Sequence, residues 1–150
     1  MFNIFKPKPP EKHIDGLGDF RYMKEDTDEY WELISELRDP NNSIDLGFCA
    51  IDGNPAGVYE PAKDTVVALL NNPTTLWSFV GERFLSSAKE DIPELTKDRI
   101  KDHYFIKSLT VSDSDSFEIG FHSKDKDVFL ELFVREGTVT EIHKDYGCCA

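Results

Sequence analysis

Apolar and polar residues alternate in four successive runs over the last third of the chain. The runs are YFIKSLTV, SFEIGFHS, DVFLELFV and GTVTEIH. Alternation with a period of two is typical of strands that bury one face. Placing the apolar faces together gives the pairs Phe121–Leu130, Ile119–Leu132 and Phe117–Val134. This register leaves residues 124–127 as a hairpin loop and residues 136–137 as the next turn. The pattern therefore predicts a four-strand meander.

Aspartates lie in the loops around these strands, at Asp113, Asp115, Asp125 and Asp127. Asp113 and Asp115 resemble the start of a calcium-binding loop, but the glycine and the closing glutamate of such a loop are missing at the required spacing. Aspartate favours turns because its side chain bonds nearby backbone groups. The four histidines are scattered and form no HxH or HExxH pattern. We therefore predict turns here and no metal site.

The first third of the chain reads as strands. GDFRYMK alternates, and IDLGFCAI is apolar enough for a largely buried strand. YWELISEL between them is ambiguous. If the segment is a strand, Trp31, Leu33 and Leu37 lie on one face. If it is a helix, the residues that share a face are Tyr30, Ile34 and Leu37. The aromatic start and the following turn RDPNNS favour the strand.

The middle of the chain has the spacing of amphipathic helices. The first predicted helix has Pro61 in its first turn, where the missing N–H costs nothing, and ends before Pro73. Its apolar face is Ala62, Val66, Leu69 and Leu70. The second predicted helix has the face Leu76, Trp77, Val80, Phe84 and Ala88. A short third helix is predicted from Thr96 towards Lys101.

Together these elements predict an α+β fold. We expect a mainly antiparallel sheet, made of N-terminal strands plus the C-terminal four-strand meander, with two or three helices inserted between them. A chain of 150 residues can bury a core of its own, so residues 13–147 are predicted to form a single domain. Residues 1–12, with the KPKPP spacer, are expected to be a flexible segment and residues 148–150 a tail.

The charge of the chain changes the expected partners. The sequence has 17 basic and 29 acidic residues, which gives a net charge of −12. Phosphate backbones and anionic membranes would repel such a domain, so we expect neither nucleic acid nor a membrane as a direct partner. Solubility is one explanation of the charge. The more specific explanation is that one face of the domain is acidic because it binds a basic partner.

The cysteines and the apolar runs bear on where in the cell the protein is expected to lie. Cys49 lies in an apolar run and is predicted to be buried, while Cys148 and Cys149 lie in the tail. Their spacing fits no zinc or redox pair, and we expect reduced thiols in a cytoplasm. The chain has no apolar run of transmembrane length, and its start lacks the features of a signal peptide. A cytoplasmic location is the expectation.

Two sets of residues are candidates for function. Glu118 and His122 share the polar face of one predicted strand, and Glu131 lies diagonal to His122 on the next strand. They could form an acid–base set or only a surface ion pair. Trp31 follows an acidic turn at a strand start, where it could anchor a partner or belong to the core. The chain has no nucleophile elbow, P-loop or dinucleotide motif, so no cofactor and no established catalytic residue is predicted.

The chain also resembles a bacterial family known as domain of unknown function 2262, over about residues 14–147. The segments that carry the resemblance are Leu17-Gly18-Asp19-Phe20, Ser108-Leu109, Phe117-Glu118 and Asp127-Val128-Phe129. Where the family has Gly-His after its last phenylalanine, this chain has Glu131 and Leu132, and where the family has a tryptophan this chain has residues near Gly120. The resemblance implies a bacterial cytosolic protein of unassigned activity and supplies no catalytic residues.

Two functional hypotheses follow. The first is a non-enzymatic protein-interaction domain, of which an immunity-type inhibitor that blocks a basic toxin would be one form. It rests on the charge, the small size and the missing catalytic motifs. The alternative is a small enzyme that uses the Glu/His cluster on the exposed sheet face. The second hypothesis requires the three side chains to converge on one pocket.

Overall fold

Ten strands form one sheet in the computed structural model, which describes residues 8–147. The strands are β1 Glu11–Ile14, β2 Gly18–Glu25, β3 Asp28–Leu33, β4 Leu37–Asp39, β5 Ile44–Asn54, β6 Gly57–Val58, β7 Tyr104–Val111, β8 Ser116–Ser123, β9 Val128–Arg135 and β10 Thr138–Tyr146. Eight of them lie in the order β1-β2-β3-β5-β7-β8-β9-β10, and β4 and β6 each pair with β5. The α+β class is confirmed.

The sheet is mixed rather than antiparallel throughout. β5 and β7 pair in parallel, and the other pairs are antiparallel. The N-terminal strands and the C-terminal meander are both present, but the parallel junction between them corrects the predicted mainly antiparallel sheet. Parallel neighbours need a long crossover connection, and the helical middle of the chain supplies it.

The helical segments are the α-helices α1 Glu60–Asn71, α2 Glu82–Ala88 and α3 Ile100–His103, and the 3-10 helices Pro40–Asn42, Pro73–Phe79 and Lys97–Arg99. The three α-helices and the 3-10 helix Pro73–Phe79 bury side chains against one face of the sheet. These segments outnumber the two or three helices predicted for the chain. The rings of Trp77 and Phe84 meet Phe121 of β8 edge-on, with ring centres 5.4 and 4.8 Å apart. The helices and this face of the sheet therefore share one core.

The second predicted helix is divided in two. A 3-10 helix ends at Phe79, the backbone is extended at Gly81, and α2 begins at Glu82. Glycine is a poor helix former, which favours a break at this position. The predicted apolar face is nevertheless entirely buried. The spacing identifies the buried side chains correctly but not the continuity of the helix.

The segment YWELISEL also divides. β3 ends at Leu33, and Leu37 begins the separate strand β4. Trp31 and Leu33 are buried as a strand face requires, whereas Ile34 is exposed. The strand interpretation is therefore confirmed for the first part of the segment only.

The meander has the predicted register. Phe121 pairs with Leu130, Ile119 with Leu132 and Phe117 with Val134. Residues 124–127 form the hairpin loop, and Glu136 and Gly137, both with positive φ, form the next turn. Asp113 acts in its turn, since its Oδ1 accepts a hydrogen bond from the Ser114 N–H at 2.7 Å, whereas the carboxylates of Asp125 and Asp127 contact His103 and His122. Within residues 8–147 no three His, Cys, Asp or Glu side chains come together as a set of metal ligands.

β1 begins at Glu11, two residues before the domain boundary predicted at 13. Cys148 and Cys149, and the first seven residues, lie outside the described residues. Cys49 is fully buried, and its burial raises the pKa of the thiol to about 12. No helix in the described range is long and apolar enough to cross a membrane.

Candidate functional site: the open face of the sheet

Within residues 8–147 the buried side chains of the helices all belong to the core on one face of the sheet, and we call the second face the open face. Because strand side chains alternate, the residues between the buried ones on β8 point to it. These are Glu118, Gly120 and His122, whereas Phe117 and Phe121 point into the core. Two hollows lie side by side on the open face, and the polar candidates from the sequence fall around them.

The first hollow is a groove of 670 Å³ that crosses β3, β5, β7 and β8. Its acidic lining residues are Glu25, Asp28, Glu29, Asp52 and Glu118, and we call it the acidic groove. Tyr30 and Phe48, whose rings meet edge-on at 6.2 Å, form an aromatic side of it. None of its lining residues is lysine, arginine or histidine.

Little within the described residues compensates the charges in the acidic groove. Glu25 accepts a hydrogen bond from the Tyr30 hydroxyl at 3.1 Å, and Glu29 lies 4.0 Å from the Lys24 ammonium. The carboxylates of Asp28, Asp52 and Glu118 form no ion pair with any residue between 8 and 147. The groove therefore concentrates negative charge at the centre of the sheet.

Two of these carboxyl groups have raised pKa values. Burial raises the pKa of Asp52, and the neighbouring charge of Asp28 raises it further. Burial also raises the pKa of Glu118, with repulsion from Glu131 added, while Arg135 and other groups act in the opposite sense. A raised pKa means that the folded protein resists ionisation of these groups. At neutral pH the charged groove is thus under electrostatic strain.

The second hollow lies over β8 and β9 and has a volume of 570 Å³. Its floor contains small residues, Gly47, Ser108 and Gly120, and Phe48 and Phe129 lie at its sides. Its charged lining residues are Lys107, Glu131, His143, Lys144 and Asp145. We call it the Gly120 hollow, after the glycine of β8 that lines it.

The three candidate catalytic residues share the open face but do not converge. Glu118 lines the acidic groove, Glu131 lines the Gly120 hollow, and His122 lines neither. The His122 Nε2 lies 2.9 Å from the Asp127 carboxylate, and the ring stacks on Phe129 with centres 4.2 Å apart. The imidazole is thus held at the hairpin end by a partner that the sequence pattern did not indicate.

Trp31, the candidate partner anchor, lies in the core. It is fully buried, and its indole N–H donates a hydrogen bond to the Asn54 carbonyl at 3.0 Å. Tyr22 contacts the indole ring edge-on at 5.7 Å. The sequence left open whether Trp31 anchors a partner or belongs to the core. In the structure it is a core residue, and its indole ring is not exposed to a partner.

Sequence reasoning missed Asp52, Asp28 and His143. Asp52 lies at the end of the apolar strand β5 and pairs with Tyr30 of β3, so it meets Glu118 only through the parallel junction. His143 pairs directly with Glu131. The turn at residues 136–137 was a usable signal for the neighbourhood of His143, but no local signal places Asp52 in the groove.

Comparisons with known proteins add no identification. No protein-family model, no curated protein and no solved structure matches the chain. The resemblance to domain of unknown function 2262 stays a prediction.

Proposed function

We propose that this protein is a non-enzymatic interaction domain whose open sheet face binds a basic protein. The observation that carries the proposal is the acidic groove, a concave surface lined by five carboxylates and no basic residue. Charge complementarity of this kind steers a partner of opposite sign and excludes partners of like sign. The form we favour is an immunity-type inhibitor, which would block a basic toxin by binding it with this acidic face.

The strain in the groove supports binding rather than folding as its role. Asp52 and Glu118 are partly desolvated and repel neighbouring carboxylates, which destabilises the free protein. A lysine or arginine from a partner would supply the missing counter-charge. The same contact would then relieve an unfavourable interaction and form a favourable one.

The enzyme alternative has less support from the geometry. It requires Glu118, Glu131 and His122 to act on one substrate, yet they lie around two hollows and at a hairpin end. The side chain of His122 is also paired with Asp127. An acid–base role for Glu118 alone would need a second group, and Asp52, which lines the same groove, is another carboxyl group with a raised pKa.

Neutralising the acidic groove is expected to abolish partner binding. The groove variant combines Asp28→Asn, Asp52→Asn and Glu118→Gln. Each immobilised protein is incubated with lysate of its source cells at low salt, where charge steering is strongest, and the bound proteins are quantified by mass spectrometry. We expect a basic protein that is enriched on the wild type and reduced roughly tenfold or more on the groove variant.

A matched control separates the groove from net charge. The control variant combines Asp64→Asn, Glu82→Gln and Glu94→Gln, which removes the same number of charges from exposed positions outside the groove. It should retain the partner nearly as well as the wild type. Equal losses on the two variants, or no basic protein retained by the wild type, would contradict the proposal.

The groove variant is also expected to be more stable than the wild type at pH 7. The folded-state pKa values of Asp52 and Glu118 are raised, so their ionisation disfavours the folded state above those values. The difference should shrink as pH falls through these raised values and vanish below about 4, where the unfolded carboxyls are protonated too. Urea unfolding at several pH values measures it, and a less stable groove variant at pH 7 would argue against the strain.

A further inference from the structure

Irregularities in two neighbouring strands coincide at the Gly120 hollow. The β5–β7 register shifts between Ile44 and Phe48, and the β7–β8 register shifts between Ile106 and Ser108. These shifts bring Gly47, Lys107 and Ser108 to the lining of the hollow. Bulges of this kind redirect side chains and are frequent beside functional sites.

The floor of the hollow depends on a glycine. A Cβ atom at position 120 would lie 2.1 Å from the Ser108 Oγ, so a larger residue fits only if Ser108 moves. Glu131 is the direct partner of Gly120 in the β8–β9 register. The Ser108 hydroxyl takes the space that a side chain at position 120 would fill, so the carboxylate of Glu131 stands beside two small residues that line the hollow.

Aromatic side chains stand at the sides of the hollow. Phe48 is half-buried on β5, and Phe129 on β9 is 38% exposed. Phe129 is also held in place by the stacked ring of His122. An exposed, positioned ring beside a carboxylate is a common arrangement for binding a cation through its face.

The charges that are not already paired in the hollow are negative. The Lys107 ammonium lies 2.8 Å from the Asp45 carboxylate, and the His143 Nε2 lies 3.3 Å from the Glu141 carboxylate. The Lys144 ammonium lies 2.8 Å from the Asp91 carboxylate. The carboxylates of Glu131 and Asp145 form no ion pair within the described part of the chain. The hollow thus offers two carboxylates and two aromatic rings to one cationic group.

We infer that the Gly120 hollow receives an arginine side chain of the basic partner. A planar guanidinium can stack on an aromatic face and donate two parallel hydrogen bonds to a carboxylate, whereas a lysine ammonium is a point charge without this planar fork. The inference rests on the proposed function and makes it specific, because it names the anchor residue and its place beside the acidic groove. Arginine is also among the residues that contribute most to interface affinity.

Hexa-arginine and hexa-lysine peptides test the inference, since they carry equal charge and differ in the side chain. Binding of each to the full chain is measured by calorimetry at low salt. We expect hexa-arginine to bind roughly tenfold more tightly than hexa-lysine, an effect within the range of cation–π contacts. We also expect the amide resonance of Gly120 to shift more with hexa-arginine than with hexa-lysine.

Two single variants and their controls locate the preference. Phe129→Ala and Glu131→Gln should each remove most of the arginine preference. Tyr59→Ala and Glu94→Gln should keep it, because Tyr59 is also exposed and both positions lie outside the two hollows. If Phe129→Ala does not fold, the comparison of Glu131→Gln with its control Glu94→Gln still tests whether the arginine preference depends on the hollow.

The outcomes separate the two proposals. Loss of the preference in the hollow variants alone supports the inference. Equal binding of the two peptides by the wild type, or an unchanged preference in the hollow variants, overturns the arginine site and leaves the acidic interaction face in place. If neither peptide binds at low salt, both the arginine site and the proposed function are contradicted.

Discussion

Replacing Phe121 with alanine is expected to lower the free energy of unfolding by about 3–5 kcal/mol, the usual cost of removing a buried aromatic ring. The ring is fully buried, and its centre lies 5.4 Å from the ring centre of Trp77 and 4.8 Å from that of Phe84. It therefore joins the meander to the helical layer, and the variant would leave a cavity between the two. Urea unfolding followed by circular dichroism measures the change.

The expected loss is large relative to the whole fold, because a domain is typically stable by about 5–15 kcal/mol. Phe129→Ala is the matched control. It removes the same ring from the same hairpin, but from the open face, where the side chain is 38% exposed. Its expected cost is about 1 kcal/mol. Similar losses in the two variants would contradict the assignment of the buried and the open face.

The register of this hairpin could be predicted from the sequence because each strand alternates over its whole length. A shift of one residue would have moved Phe121 and Leu130 to the open face, so only one pairing buries both apolar sets. The pairing of β5 with β7 had no such signal. The two strands lie far apart in the sequence, and each alternation shows only which face is buried, so periodicity alone decides neither their adjacency nor their direction.

The candidate site was predictable only where it is local. Glu118 and Glu131 were found because neighbouring strands of a hairpin bring them together. Asp52 and Asp28 reach the same face from the N-terminal strands, across the parallel junction. The pairing of His122 with Asp127 is local too, but it was not predicted. Asp127 lies in the hairpin loop, and its preference for turns already explained its presence there.

A second large effect is expected at the other side of the sheet, where Lys144 of β10 meets the segment after α2. Its ammonium donates hydrogen bonds to the Asp91 carboxylate at 2.8 Å, the Glu90 carboxylate at 2.9 Å and the Ser87 carbonyl at 2.6 Å. The Tyr146 hydroxyl also donates to Asp91, at 3.1 Å. The side chains of Lys144 and Asp91 are only 12% and 14% exposed. This network attaches the last strand to the helical layer.

Replacing Lys144 with methionine should therefore lower the free energy of unfolding by about 2–3 kcal/mol. Methionine keeps the apolar stem but leaves the Asp91 carboxylate without its cation. The expected cost is below the 3–5 kcal/mol of a fully buried pair, because both groups keep some contact with water. Glu90→Gln is the control, since that carboxylate is 67% exposed and should contribute under about 1 kcal/mol.

The pH dependence of the Lys144→Met effect gives a test that a loss of packing alone would not reproduce. Burial by itself would raise the pKa of Asp91, but the hydrogen bonds from Lys144 and Tyr146 outweigh it, and the pKa is lowered in the folded protein. The stabilisation is then fully present above the unfolded pKa of about 3.9 and is lost as pH falls through the lower folded value. The difference in unfolding free energy between wild type and variant should narrow as pH falls from about 4 through the lowered folded pKa of Asp91. A difference that stays constant over that range would show that Lys144 contributes through its stem rather than through its charge.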